Sequence, residues 1–388
     1  MPVINRIAAY ADELAGWRRH LHQIPELDFD LFETAAFVTD RLREIGVDEI
    51  HGNIAKTGIV ALIRGGAPGP VIGLRADMDA LPIVEATGLP HASRNPGRMH
   101  ACGHDGHTVT LLGAARYLSE TRNFAGTVAL IFQPSEEMNG GAEVMVREGI
   151  MDRFAINRVF ALHNVPGPPL GAVATTPGPI MASSDEFRIA IRGRGGHAAY
   201  PHECIDPIAP ALQIGQALQT LVSRRADPLA RLVVSLTTLE AGTARNVVPE
   251  IARLGGTVRA LDETLRQATA TELRRLAETI AAAHGCTAEV EHHFGYPVTV
   301  NDPESTAFAA RVAAEIVGPA HVEADRPAEM GAEDFAYMLQ SRPGAYIFLG
   351  TGPGAGLHHP AYDYNDAATP IGASWFARLV ETAQPLNP

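Results

Sequence analysis

Between Met99 and His107 the chain reads Met-His-Ala-Cys-Gly-His-Asp-Gly-His, placing one thiol and three imidazoles in a glycine-punctuated stretch. Thiolate and imidazole together suit a borderline-soft divalent ion such as Zn²⁺. In extended backbone, residues two apart point to one side, so Cys102 and His104 read as a metal-binding pair. His100 and His107 have ordinary explanations, the first as a surface residue and the second as a helix-start residue.

Further along, Gln133-Pro134-Ser135-Glu136-Glu137 sets two carboxylates side by side. Like charges so close are unfavourable without a nearby cation. The pair is either a solvated acidic turn or a working pair, with one carboxylate on a metal and the other facing metal-bound water. His163 and the His358-His359-Pro360 stretch complete a set able to hold ions. A Zn²⁺-type ion lowers the pKa of bound water to about 7 and polarises a carbonyl. A carboxylate beside it then needs only to move a proton from water to the leaving group.

Such residues need a frame. Short apolar runs (Ile59 to Ile63, Val71 to Leu74, Thr127 to Phe132, Val159 to Leu162) alternate with helical stretches, among them a long one from about His107 to Ser119. This pattern predicts an α/β fold with a large, mixed but mostly parallel sheet covered by helices. Asp77, Asp79, Glu136, Glu137 and His163 each follow an apolar run, at the strand ends where open α/β sheets bind ligands. After Pro179 the texture changes. Strands over Glu186 to Arg192, Arg231 to Leu239, Ile251 to Ala260 and Thr287 to His293 interleave with helices over Pro207 to Arg224 and Glu263 to His284. The order βαββαβ is ferredoxin-like. Helices over Thr306 to Ile316 and Ala332 to Leu339 and a strand over Ala345 to Leu349 then resume the first texture. The chain therefore divides into a catalytic domain in two parts, 1–180 and 296–388, and an inserted domain, 181–295.

A length of 388 residues suits that division. The net charge of −13 argues against nucleic acid or an anionic membrane as partner. Asp12 and Glu13 interrupt the N-terminal apolar positions, which excludes a signal peptide or membrane span there. Ile4, Ile7, Ala8, Ala11 and Leu14 instead fit one amphipathic helix. Three widely spaced cysteines, Cys102, Cys204 and Cys286, make no disulfide framework and point to the reducing cytoplasm.

The motifs Arg75 to Pro82, Cys102 to His107, Gln133 to Glu137, Leu162-His163, Gly195 to Ala199, Asn246 to Pro249 and Gly331 to Phe335 occur in order. In this the chain resembles the M20 family of dinuclear metallopeptidases. The likeness is to its amidohydrolase branch of hippurate hydrolases, N-acyl-amino-acid amidohydrolases and auxin-conjugate hydrolases. The resemblance implies two divalent ions per subunit, held by Cys102, His104, Glu137, His163 and His358, with Glu136 as general base; thiolate favours Zn²⁺, while the carboxylate and imidazoles also suit Mn²⁺, Co²⁺ or Ni²⁺. His358 is preferred to His359 because the branch carries Leu-His-x-Pro, matched by Leu357 to Pro360. Other branches carry His-x-Asp where this chain has Asp77-Met78-Asp79, so Asp77 is not expected as a ligand. Asp79 keeps the role of orienting a ligating imidazole.

The inserted domain would act as lid and dimerisation module. His197 there is a candidate donor to the oxyanion, in dimeric relatives across the dimer, or else a capping or surface histidine. Asn246 and Arg259 are candidates for holding a substrate carboxylate, with a structural role as the alternative for either. The implied reaction is hydrolysis of an N-acyl or N-aroyl amino acid by a homodimer or dimer-based oligomer. N-acetyl-diaminopimelate-type deacetylation and small dipeptide hydrolysis are close alternatives. A cysteine hydrolase using Cys102 and a non-catalytic metal-binding protein are the readings from other classes.

Overall fold

The computed structural model describes residues 3–386. Contact density separates two compact units. One comprises the chain up to Gly178, Val300–Pro327 and the chain from Asp334 onward; the other comprises Pro179–Thr299 and Ala328–Glu333.

The larger unit is built on an eight-stranded sheet in the order Glu49–Ile54, Gly58–Arg64, Ala125–Gln133, Ala67–Asp77, Ile156–Val165, Gly344–Gly350, Val173–Ala174, Val322–Glu323. The central four strands are mutually parallel, and the two at the Glu49–Ile54 edge pair antiparallel. Residues Val128 to Phe132 and Ala345 to Leu349 are buried whichever face they point to, as parallel strands covered on both sides must be. Helix His104–Thr121 is buried along most of its length, packed among the sheet and helices Ala11–Gln23, Phe32–Ile45 and Thr369–Ala383. Its first residue is thereby held rigidly at the strand ends.

The smaller unit has the βαββαβ order read from the sequence. Its antiparallel sheet runs Leu232–Ala241, Ile251–Ala260, Asp185–Arg192, Thr287–Phe294. Phe187, Ile189 and Ile191 alternate inward and share a core with Ile214 and Leu218 of helix Ile208–Thr220 and Leu273 and Ala277 of helix Glu263–Ala283. Asp262 caps the longer helix by accepting the Leu265 N–H at 2.7 Å.

Three elements depart from expectation. The N-terminal amphipathic stretch is two helices, Asn5–Ala8 and Ala11–Gln23, broken where the Tyr10 N–H turns back to Ile7 O. The helix expected from Ala332 starts only at Ala336, because the Asp334 carboxylate turns inward to accept from Arg75, Gln133 and the Ala142 N–H. The helix expected to reach Arg224 changes to a π-helical turn over Leu221–Arg225.

One buried charge in the smaller unit is costly to disturb. Arg266 Nε donates to Asp185 at 2.9 Å, and His292 Nε2 lies 3.1 Å from the same carboxylate. Burial would raise the Asp185 pKa, but hydrogen bonds from His292 and Arg266 outweigh it and hold the group low. Arg266→Met removes one partner of a buried ion pair, so chemical denaturation should show a loss of about 3 kcal/mol.

Candidate metal centre

Gly103 turns the chain with φ +96° and His104 opens its helix. The Cys102, His104 and His163 ligand atoms lie within 4.8 Å of one another. The expected pair does meet, but through this left-handed glycine and a first helical turn rather than through extended backbone. His163 stands near the end of strand Ile156–Val165. Its Nδ1 donates to the Asn164 carbonyl at 2.7 Å, so the Nε2 lone pair faces Cys102 Sγ, 3.4 Å away.

The two carboxylates close the site from another strand end. Glu136, Glu137 and His104 form one close group, and Cys102, Glu137 and His358 another. Glu137 Oε1 is 3.8 Å from His104 Nε2 and 3.3 Å from His358 Nε2. Asp79 accepts the main-chain N–H groups of both Glu136 and Glu137 at 3.0 Å and lies 3.3 Å from His104 Nδ1. A single carboxylate thus orients the glutamate turn and the imidazole together. His359 joins no such group among the described residues; its Nδ1 accepts the Ala361 N–H.

These donors fit divalent ions. His104 Nε2 and Glu137 Oε1 are buried with no hydrogen-bond partner, a costly state for polar atoms that a cation between them relieves. Burial together with the charges of Glu137, Glu136 and Asp77 pushes the Cys102 thiol well above its usual pKa. A bound cation inverts that and makes the sulfur a thiolate ligand. Burial and the neighbouring His107 hold His163 well below the usual histidine range, hence in the neutral form a metal needs. With Glu137 and Cys102 each belonging to two groups, the five donors can serve two ions.

Asp77 also approaches His104 and His107, but Arg75 takes it up. The buried guanidinium donates to Asp77 at 2.7 Å, to Asp334 at 2.9 Å and to Gln133 at 2.8 Å, while His107 Nδ1 lies 2.6 Å from the other Asp77 oxygen. His107 is therefore a buried anchor on the first helical turn. The surface reading of His100 is overturned. Buried Met99 and Ala101 carry it inside, neither ring nitrogen has a hydrogen bond, and burial pushes its pKa down to about 4.

The remaining candidates belong to the smaller unit. His197, exposed, lies on strand Gly196–His197, paired with Val247–Val248. Its Nδ1 accepts the Ala199 N–H at 3.1 Å, so the neutral ring carries its proton on Nε2. The Ala198 N–H donates to the carbonyl of exposed Asn246 at 3.0 Å. Arg259 is half-buried on strand Ile251–Ala260, and burial lowers its pKa.

The sequence model of peptidase family M20/M25/M40 matches residues 73–382. The chain belongs to that family. It is 41% identical over 372 residues to N-acetylcysteine deacetylase of Bacillus subtilis, covering 96% of this chain and 97% of that one. It is 40% identical over 379 residues to hippurate hydrolase of Campylobacter jejuni, covering 98% of each. A crystal structure of a dinuclear metal-binding M20 peptidase from Bacillus subtilis superposes with a TM-score of 0.86 at 38% identity, over 97% of this chain and 99% of that one. The relatives place it in the amidohydrolase branch of the M20 family, whose members hydrolyse amide bonds. Among the described residues no helix is long and apolar enough to cross a membrane.

Behind the centre of this M20 protein lies a charge network that sequence reasoning missed. Buried Arg18 donates to Asp366 at 2.6 Å and Asp363 at 3.0 Å and lies 3.7 Å from Asp105, the residue after His104. His22 Nδ1 is 2.8 Å from Asp105 and its Nε2 3.5 Å from Glu85. Burial lowers the His22 pKa, but the bonds to Asp105 and Glu85 outweigh it and raise it from 6.5 to about 9. A raised folded-state pKa gives stability that is complete below pH 6.5 and lost as pH climbs through about 9. We expect His22→Gln to flatten this alkaline loss, on the order of 3 kcal/mol, in urea unfolding measured from pH 6 to about 10.

Proposed function

We propose that the protein hydrolyses N-acyl or N-aroyl amino acids to a carboxylate and a free amino acid, using two divalent ions, Zn²⁺ or Mn²⁺, Co²⁺ or Ni²⁺. The observation that carries this reading is buried Glu136, whose carboxylate lies within 4.8 Å of ligand atoms of both Glu137 and His104. Hippurate hydrolase and N-acetylcysteine deacetylase each cut an acyl group from an amino acid, which supports the substrate class.

In this reading Cys102, His104, Glu137, His163 and His358 hold the ions. When bound, these supply Lewis acidity toward water and the amide carbonyl. Glu136 takes a proton from the attacking water and returns it to the leaving amine. Asp79 fixes the Glu136 main chain and the His104 ring, so base and ligand keep one geometry. The His197 Nε2–H is the donor to the developing oxyanion. Asn246 and Arg259 hold the substrate carboxylate, Arg259 as a bidentate partner.

A cysteine nucleophile is disfavoured. Reactive cysteines sit in electropositive surroundings that stabilise thiolate, whereas Cys102 is buried among carboxylates. An N-acetyl-diaminopimelate deacetylase uses the same chemistry, and a screen of N-acetyl, N-benzoyl and indole-acyl amino acids separates the two.

We assign the smaller unit as lid and dimerisation module and the protein to the cytoplasm, where three unpaired cysteines are at home. Helix Ile208–Thr220, the 221–225 turn and strand Leu232–Ala241 pack on one another. They expose Leu212, Val222, Val233 and Leu239 beside an edge strand with a free ladder side, which supports a homodimer formed there.

Glu136→Gln should retain both metals by elemental analysis yet lose at least about a hundredfold in kcat, while Glu137→Gln should lose metal. Interchanged effects would move the base by one position. If His197 acts across the dimer, mixing inactive Glu136→Gln and His197→Ala chains should restore about a quarter of wild-type activity by random pairing. Confirmed subunit exchange without activity would sink that role.

A further inference from the structure

Asn164 follows His163 and is fully buried. Its carbonyl takes the His163 Nδ1 proton, its side-chain Oδ1 lies 2.6 Å from His107 Nε2, and its Nδ2 donates to the Tyr362 hydroxyl at 2.7 Å. Tyr362, also buried, ends the segment that carries His358; its N–H donates to the His359 carbonyl at 2.9 Å, and the His358 N–H donates to Ala101 O at 2.7 Å. His358 itself has φ +62°, a conformation that a non-glycine residue keeps only when its surroundings over-determine it.

The bond between Asn164 and Tyr362 lies against Gly103. A Cβ on Gly103 would stand 2.3 Å from Asn164 Oδ1 and 2.6 Å from the Tyr362 hydroxyl, so no side chain fits beneath the pair. Gly103 joins Cys102 to His104. One hydrogen bond between two residues that are not candidate ligands therefore touches three segments: 102–104 through Gly103, His163 through its chain neighbour, and His358 through Tyr362.

We propose that Asn164 and Tyr362 are positioning residues, and that their hydrogen bond is a latch closing the His358 segment over Gly103. It fixes His358 against Cys102, His104 and His163. The proposal rests on the five-residue metal centre argued above and concerns how that centre is held together. The latch would act on an ion held by His358, Glu137 and Cys102, since among the described residues that is the close donor group that includes His358.

The test is zinc release from fully loaded protein into excess chelator, followed with a colorimetric zinc indicator. Tyr362→Phe removes one hydroxyl and keeps the ring, so the fold should survive; Asn164→Leu keeps the approximate volume and removes both side-chain bonds. Each should speed release of one ion about tenfold, the scale of lost outer-sphere partners. The double variant should be no faster than Asn164→Leu alone, because the two changes break the same bond. Thr306→Val, which removes a buried hydroxyl bond to Asp302 O on a distant helix, should leave release unchanged. Wild-type release in Tyr362→Phe, additive acceleration in the double variant, or equal acceleration in Thr306→Val would each overturn the latch. A wild-type protein that holds none of zinc, manganese, cobalt or nickel would instead overturn the metal centre itself, a result visible before any variant is made.

Discussion

Buried negative charge organises the larger unit. Asp77, Asp79, Asp105, Glu136 and Asp334 are all nearly or fully out of solvent around the strand ends, and each such charge is expensive unless paired. The protein answers most of them itself. Arg75 serves Asp77 and Asp334, Arg18 and His22 serve Asp105, and Asp79 spends its oxygens on two main-chain N–H groups beside His104. Glu137 Oε1, between His104 and His358, is left without a hydrogen bond. The surrounding network thus defines where external positive charge belongs, and the hydrolytic chemistry follows from putting it there.

What the sequence disclosed depends on the range of the interaction involved. Strand and helix periodicity is local, so the central strands and the βαββαβ insertion were legible. The five candidate ligands were legible because a thiol, imidazoles and paired carboxylates are conspicuous residue types, and the family motifs ordered them. Arg18, Asn164 and Tyr362 carried no comparable signal. Arg18 meets Asp366 across 348 residues and Asn164 meets Tyr362 across 198, and neither type announces a partner. Arg75 and Asp334 lay inside quoted motifs, yet nothing local says that they pair. His100 shows the opposite error, a polar residue assigned to the surface although its apolar neighbours Met99 and Ala101 take it into the core.

Regular strands and helices space their side chains at fixed intervals, so bringing donors from several segments onto one small volume requires abrupt turns. Left-handed residues supply them here: Gly103 at φ +96°, Ser135 at +55°, just before the glutamate pair, and His358 at +62°. Two of these are not glycine and hold their conformation at a cost. Hydrogen bonds repay part of it, since the Gly141 N–H donates to the Ser135 carbonyl at 2.9 Å and the His358 N–H to Ala101 at 2.7 Å. A bound cation would offset more of it, because the same turns bring His104 Nε2 and Glu137 Oε1, both buried without a hydrogen bond, to 3.8 Å from each other. Metal affinity and local backbone order are then two aspects of one equilibrium, with the strained loops held between a rigid sheet edge and the charge they enclose.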